Sequence, residues 1–486
     1  MRSSMVHSYL AIVLWMVCSA NLFAHQRPPN ILILMADNWA YPHAGIYGDP
    51  VVKTPVFDSL AREGVLFRNS YCLVPSCSPA RAAFLSGQAI HRLGDAASLH
   101  GRFPKDIPVF TDMLEANGYR VGYSGKGWGP GNWNESGRTR NPAGAVYPSF
   151  EEFLKQEDAN RPFCFWFSSK NPHVPWTQGQ ELKEKMSRES VVVPKYLPDV
   201  PVVRESILDY YAEVEDFDRE AGEHLKLLAA AGHAEDTLVI MCGDNGWQMP
   251  HGLAQCYDAG THVSMVIRGP AGFRRNVQSD EFITFDDMAP TILAAAGCRV
   301  SDESSANVTG RSFTGRSLMP ILTGVGEWSS REAVFLERER HANVRRDNGS
   351  YPVRAVRTKS FLYIRNFEPD RFPTGDPETW FAVGPFGDCD HSPVKSLLLS
   401  HRSQAEFSTF FQMNFGKRPS EELYDLRIDP DQTHSVAADA NYAADKARLA
   451  ARLHDWMRRT EDPRFADPHT RIWDNAPYYG PRAKSE

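Results

Sequence analysis

Three largely apolar runs stand out in the hydrophobic pattern of the chain. They are Asn30–Ala36, Phe163–Phe167 and Thr237–Cys242, and polar residues follow each of them closely. Continuous apolar runs of this length are typical of parallel strands that are buried on both faces. Segments with helical patterning alternate with them, among them Ser206–Ala231 and Asp286–Ala296. The alternation predicts an α/β fold in which helices sandwich a large, mostly parallel sheet.

The pattern changes in the last third of the chain, after a polar loop at residues 301–307. Beyond Tyr351 there are two short strand-like stretches, Val353–Thr358 and Phe361–Ile364, and a helical stretch from Ala443 to Thr460. We therefore expect a smaller C-terminal α+β unit. The predicted division is a larger α/β domain at residues 25–350 and the smaller unit at residues 351–486.

The first 24 residues have a pattern of their own. A basic start is followed by an apolar stretch from Tyr9 to Val17, and small residues lead to Ala24. This order is typical of a secretory signal peptide, so residues 1–24 are predicted to be cleaved and the protein to be secreted or periplasmic. The stretch is short for a membrane span, and no later run is long enough, so no transmembrane segment is expected.

Composition and charge narrow the function classes. The 486 residues carry a net charge of −7, with 42% hydrophobic and 23% charged residues. This is the composition of a globular protein, and it lacks the basic footprint of a nucleic-acid-binding protein. The eight cysteines show neither a zinc spacing nor a disulfide framework, so no bridge is predicted.

The segment Cys77-Ser78-Pro79-Ala80-Arg81 holds the first candidate chemistry. Proline is well tolerated in the first turn of a helix, so Cys77 is expected at or just ahead of a helix N-terminus. Free backbone N–H groups and the helix dipole favour an anion at that end. Arg81 adds a fixed positive charge about one turn further on. A lone cysteine is more often an inert buried thiol, so the segment gains weight only from its surroundings.

Two of the apolar runs end in a pair of oxygen-bearing side chains. Asp37-Asn38 follows the first run, and Asp244-Asn245 follows the third. Either aspartate alone is more often a turn cap, but both pairs follow buried strands, where sites form in open α/β sheets, and this favours a shared site. An all-oxygen donor set suits a hard cation, Ca²⁺ or Mg²⁺.

Two further side chains follow predicted strands. Lys126 lies in a Gly-rich loop, and His173 lies between prolines. Either side chain is able to contact an oxyanion or to pass a proton to a leaving group, although a histidine flanked by prolines is often structural.

At this point a family resemblance emerges. The Cys77–Arg81 segment, with Leu85-Ser86-Gly87 after it, resembles the signature of the formylglycine-dependent sulfatases of the alkaline phosphatase superfamily. Five other segments resemble motifs of that family and spread the likeness over nearly the whole chain after residue 24: Pro29–Asn38, Gly125-Lys126, Asn171–Pro175, Gly243–Gly246 and Glu422–Leu426. A narrower likeness to the sulfamidases that act on heparan sulfate is carried by Tyr351–Arg357, Trp456 and Asp462-Pro463.

The resemblance implies a mechanism and a set of partners. Cys77 would be oxidised to formylglycine by a formylglycine-generating enzyme, and the hydrated aldehyde would be the nucleophile. Ca²⁺, with Mg²⁺ as the alternative, would bind five residues: Asp37, Asn38, Asp244, Asn245 and the modified Cys77. Arg81 and Lys126 would hold the modified side chain and the sulfate, and His173 would contact the sulfate or protonate the leaving group. The substrate would be a sulfated glycan, with the N-sulfate of glucosamine as the narrower expectation.

The sequence departs from the family pattern at three positions. Asn38 stands where the family usually has Asp, Trp128 where it has His, and Leu253 where it has a basic residue. His251 lies near the third position and is a candidate to take its place and to bind the substrate. Glu339 and His341 are candidates to contact the sugar, with an exposed charged turn as the alternative.

These departures keep several functions open. The first expectation is a sulfohydrolase. The alternatives are an O-sulfatase of another polysaccharide, a phosphoesterase of the same fold, or a sulfated-glycan-binding protein with weakened catalysis.

Overall fold

The computed structural model describes residues 27–156, 158, 161–180, 186–298, 312–380 and 384–480. The signal-peptide prediction for residues 1–24 lies outside the described residues. Among the helices that are described, none combines the length and the apolar character that crossing a membrane requires.

The larger sheet has eight strands. They are β1 (Asn30–Ala36), β2 (Val65–Tyr71), β3 (Arg120–Gly125), β4 (Ala145–Val146), β5 (Phe163–Ser168), β6 (Thr237–Gly243), β7 (Met265–Arg268) and β8 (Val277–Thr284). Their spatial order is β4-β3-β5-β1-β6-β7-β2-β8. Only β7 runs antiparallel to its neighbours, so the expectation of a mostly parallel sheet is confirmed.

The smaller sheet has four antiparallel strands. They are β9 (Ala333–Arg338), β10 (Val353–Thr358), β11 (Phe361–Asn366) and β12 (Glu421–Asp425), in the order β12-β11-β10-β9. Its first strand therefore lies within residues 25–350, which the sequence assigned to the larger domain. β9 escaped detection because its polar end, Glu337-Arg338, is as buried as its apolar start, so the strand lacks an in–out alternation.

Twelve α-helices are described. They are α1 (Pro55–Glu63), α2 (Cys77–Ser86), α3 (Phe110–Ala116), α4 (Phe150–Lys155), α5 (Pro201–Ala230), α6 (Asp258–Thr261), α7 (Met288–Ala295), α8 (Met319–Thr323), α9 (Pro393–Ser400), α10 (Ala405–Phe415), α11 (Ala443–Arg459) and α12 (Pro463–Ala466). The predicted long helix is α5. It begins five residues earlier than the apolar pattern indicated because Pro201 suits its first turn.

Side chains of β1 alternate between two apolar layers, one on each face of the larger sheet. Ile31 and Ile33 pack into the layer that contains Phe84 of α2, whereas Leu32 packs into the layer that contains Phe217 of α5. Helices α9 and α10 join the second layer, although in sequence they lie between strands β11 and β12 of the smaller sheet. The C-terminal region therefore packs on the larger sheet as well as forming a sheet of its own.

Candidate active site

The two oxygen-bearing pairs lie side by side because β1 and β6 are adjacent parallel strands in register. The backbone N–H of Asp244 donates to Ala36 O at 3.1 Å. The backbone N–H of Asn38 donates to Asp244 Oδ1 at 2.8 Å. Asp37, Asn38, Asp244 and Asn245 are all at most 3% exposed. The structure thus brings together the four side chains that the strand ends predicted.

Cys77 is the first residue of α2, as the sequence predicted, and points into the same cluster. Its Sγ lies 3.5 Å from Asp37 Oδ1 and 3.5 Å from Asn245 Nδ2. Ligand atoms of Asp37, Cys77 and Asp244 lie within 4.8 Å of one another. Burial raises the pKa of the Cys77 thiol, so the unmodified side chain is a neutral thiol at neutral pH and a weak nucleophile.

Two cations face the two carboxylates. Lys126 Nζ donates to both oxygens of Asp37, at 2.8 and 2.7 Å. Arg81, which is fully buried, donates from Nε to Asp244 Oδ2 at 2.8 Å and from Nη1 to Gly127 O at 2.8 Å. Burial raises the pKa of Asp37 while Lys126 and Arg81 lower it, and the cations prevail. Burial raises the pKa of Asp244, and Arg81 opposes that shift without cancelling it.

The residues fit a divalent cation by the chemistry of their donor set. Asp37 and Asp244 offer carboxylate oxygens beside Cys77, as hard cations require. The amide of Asn245 presents Nδ2 to Cys77, and its Oδ1 accepts from Asn38 Nδ2 at 2.5 Å. Asn38 has a φ of 75°, a left-handed conformation that Asn and Asp tolerate, and its Oδ1 lies 3.9 Å from Cys77 Sγ. The charges of the two carboxylates and the two cations cancel, so a bound divalent ion would leave the site positive and receptive to an anionic substrate.

His173 follows β5 and stands at the edge of this cluster. Its Nδ1–H donates to Val174 O at 2.5 Å, while the Val174 N–H donates to Gln248 Oε1 at 2.7 Å. Gln248 in turn donates to Asp390, whose pKa is raised by burial and lowered by His173. Sequence reasoning missed Gln248 and Asp390. The position of Gln248, four residues after Asp244, could have indicated it from the sequence, whereas Asp390 lies in an irregular loop and no sequence pattern indicates it.

Trp128 does not act as a base in place of the family histidine. It is 1% exposed, and its Nε1–H donates to Ser78 O at 2.9 Å. The indole therefore braces the first turn of α2. Leu253 is also buried, and the next backbone N–H, that of Ala254, donates to Pro75 O at 2.8 Å, just ahead of Cys77.

His251 does not reach the cluster as a substitute base. Its ring is stacked between Tyr196 and Tyr257, with centroids 4.4 and 4.0 Å away. It is 1% exposed, and burial holds the pKa of its imidazole well below the usual range. We therefore do not retain His251 as a substrate-binding residue.

Glu339 and His341 have different surroundings. Glu339 is fully buried and its carboxylate is bound by Arg354 and Arg464, so it has no free oxygen for a sugar, and we do not retain it. His341 lies near Cys77, because a hydrogen bond of 2.8 Å joins its Nδ1 to Ser76 Oγ. Burial lowers the pKa of His341 to about 3, so its imidazole is neutral.

Comparison with known proteins gives one consistent picture. The Sulfatase family model matches residues 29–298, more than half of the chain. Human N-sulphoglucosamine sulphohydrolase is 27% identical over 495 residues, with 91% of this chain and 92% of the relative covered.

Solved structures show the same fold at lower identity. One is of a protein in complex with its substrate D-glucosamine-2-N,6-O-disulfate. It has a TM-score of 0.63 and 19% identity, covering 91% of this chain and 99% of the other. A phosphonate monoester hydrolase of Agrobacterium radiobacter has a TM-score of 0.64 and 18% identity, covering 89% and 96%. The chain therefore belongs to the sulfatase family and is a hydrolase of sulfuric esters.

Proposed function

We propose that this protein removes sulfate from a sulfated glycan, with the N-sulfate of glucosamine as the preferred group. The observation that carries the proposal is the position of Cys77. Its side chain points between two strand-end carboxylates, each of which is held by a cation. The human relative named for N-sulphoglucosamine supports the narrower substrate.

Formylglycine at position 77 is the modification that this arrangement suits. The buried neutral thiol is a poor nucleophile, and a thiol has no second hydroxyl with which to expel sulfate. The hydrated aldehyde supplies two hydroxyls, one to attack sulfur and one whose deprotonation releases the sulfate. The modification requires a formylglycine-generating enzyme, which we propose as the partner in maturation.

The residues of the chain divide the remaining work. Lys126 and Arg81 supply fixed positive charge beside position 77, where negative charge develops on the transferring sulfate. His173 directs Nδ1–H to Val174 O, which leaves Nε2 free of that bond to exchange a proton with the leaving amine or alcohol. His341, tied to Ser76, is proposed to contact the sugar.

A divalent cation, Ca²⁺ with Mg²⁺ as the alternative, is proposed to bind Asp37, Asn38, Asp244 and Asn245 together with residue 77. It would supply Lewis acidity toward a sulfate oxygen and lower the pKa of the attacking hydroxyl. Asn38 has an amide where the family has a carboxylate, which removes one negative charge from the metal ligands. We therefore expect the metal to bind more weakly than it would with Asp at position 38.

Sulfate release from a panel of compounds tests the proposal. N-sulfated glucosamine, O-sulfated sugars and a phosphate monoester are compared under the same conditions. We expect sulfate from the N-sulfated sugar, loss of activity in Cys77→Ala, and retention in Cys164→Ala, which removes an equally buried thiol in β5. Preferred release of phosphate would favour the phosphoesterase alternative, and tight binding of sulfated glycan without turnover would favour the binding protein.

We also propose that the protein is exported, which the apolar N-terminal stretch supports. N-terminal sequencing of the protein recovered from the periplasm or medium tests this. We expect a start near His25. An intact Met1 in a cytoplasmic fraction would contradict it.

A further inference from the structure

A small cavity lies between the loop that follows Asn245 and the smaller sheet. Its volume is about 20 Å³, and its polar lining includes Gln255, Arg338, Tyr351, Arg418 and Glu422. About 10–15 Å³ is enough for one water-sized occupant, so the cavity admits a single atom or ion but no sulfate or sugar.

The lining carries polar atoms without hydrogen-bond partners. Within the described part of the chain these are both amide atoms of Gln255, Arg338 Nε, Arg418 Nε and the Tyr351 hydroxyl. Gln255 is 4% exposed, and Arg338 and Tyr351 are each 1% exposed. Such atoms are rare in a folded interior unless something occupies the space between them. Four of the five are able to donate: two guanidinium N–H groups, an amide N–H and a hydroxyl.

The carboxylate of Glu422, which also lines the cavity, does not accept hydrogen bonds from these donors. Glu422 Oε2 already accepts from the hydroxyls of Tyr257 and Tyr424, at 2.8 and 2.6 Å. Its Oε1 accepts from Asn366 Nδ2 at 2.7 Å. Arg418 Nε lies 4.0 Å from the nearest Glu422 oxygen, beyond hydrogen-bond distance. Arg338 also faces Asp388, but it shares that carboxylate with Arg345. Three arginines, Arg338, Arg345 and Arg418, therefore face two carboxylates, and the group has a surplus of one positive charge.

We propose that this cavity binds a monovalent anion, chloride under ordinary conditions. A water molecule has two lone pairs and so accepts two hydrogen bonds, whereas chloride is able to accept four and leaves only the acceptor Gln255 Oε1 without a partner. The positive surplus favours the anion over water. The inference concerns a site separate from Cys77 and does not rest on the proposed reaction.

The bound anion would join two parts of the fold. Gln255 belongs to the loop in which Ala254 N–H holds Pro75 O, two residues before Cys77, while Arg338 and Tyr351 belong to the region of the smaller sheet. The anion therefore ties the segment that carries Cys77 to the C-terminal region, and its binding stabilises the folded protein.

Thermal unfolding of the full protein in sodium chloride and in sodium gluconate at equal ionic strength tests the site. We expect a saturable rise in Tm with chloride. Tyr351→Phe removes one donor and should raise the chloride concentration at half-effect about tenfold or more. Arg418→Gln should abolish the chloride-specific rise, whereas Arg402→Gln, at an exposed arginine away from the cavity, should retain it. Identical Tm values in the two salts for the wild-type protein would overturn the proposal.

Crystals grown in bromide give a second readout that needs no variant. We expect an anomalous difference peak between Gln255, Arg338 and Arg418. Ordinary water density without an anomalous signal would show that the cavity holds water, and the proposal would then be wrong.

Discussion

A substitution at Glu339 tests whether this carboxylate stabilises the fold or binds the sugar. Its Oε1 accepts from Arg354 Nη2 at 2.8 Å and from Arg464 Nε at 2.9 Å, and its Oε2 accepts from Arg464 Nη2 at 2.7 Å. All three side chains are at most 2% exposed. Glu339→Gln keeps the shape but removes the charge and turns an NH₂ group toward guanidinium donors. Removing one partner of a buried ion pair costs about 3–5 kcal/mol.

The other ion pairs of Arg354 and Arg464 decide where in that range the loss of unfolding free energy falls. Arg354 keeps Asp462 at 2.6 Å, so only Arg464 loses its carboxylate entirely. We therefore expect the free energy of unfolding to fall by about 3 kcal/mol, with KM close to that of the wild-type protein. Urea unfolding and steady-state kinetics on the same preparation measure both.

A matched control separates burial from charge. Glu332→Gln makes the same change in a carboxylate that is 85% exposed and paired with Arg452 at 3.2 Å. Exposed pairs contribute about 0–1 kcal/mol, so this variant should unfold almost as the wild-type protein does. If Glu339→Gln were equally stable but raised KM several-fold, the reasoning would be refuted and Glu339 would be a sugar contact.

Three further predictions concern other parts of the molecule. Burial lowers the pKa of His91, but Glu337, whose carboxylate lies 2.7 Å from Nδ1, raises it by more, so the net shift of the pKa is upward. The wild-type protein should therefore exceed the His91→Gln variant in Tm by the full amount below the ordinary histidine pKa of about 6.5, and the difference should shrink as pH rises through the pKa of His91 in the folded protein. A difference that grows with pH would contradict this. Lys126→Met should lower kcat/KM by about 10²–10³, and a loss below tenfold would argue against its role. Trp128→Phe should unfold about 0.5–1.5 kcal/mol more easily, having lost its bond to Ser78 O, yet keep kcat within a few-fold; a large loss of kcat would make the indole catalytic.

Much of the larger sheet could be predicted because its central strands are buried on both faces. β1, β5 and β6 appear in the sequence as apolar runs of nearly their observed length. β9 could not be found in that way. Its buried Glu337 and Arg338 are paired with residues distant in sequence, His91 and Asp388, and pairing of this kind is not visible in a local pattern.

Some residues of the candidate site could likewise be predicted from the sequence, and others could not. Asp37 and Asp244 could be predicted as neighbours because each ends a buried strand, and parallel strands bring their ends to one edge of the sheet. For Glu339 and His251 the sequence offers only residue type and position. Burial decides against both, since one carboxylate is fully enclosed by arginines and one imidazole by tyrosine rings.

The mass of the tryptic peptide Asn69–Arg81 tests the central claim most directly. The peptide carries Cys77 together with Cys72, a fully buried thiol that serves as an internal control. After production with a formylglycine-generating enzyme and alkylation of the denatured protein, we expect one alkylated cysteine, Cys72, and an aldehyde at position 77 that reacts with a hydrazide. Alkylation of both cysteines in a preparation that releases sulfate at full rate would contradict the account.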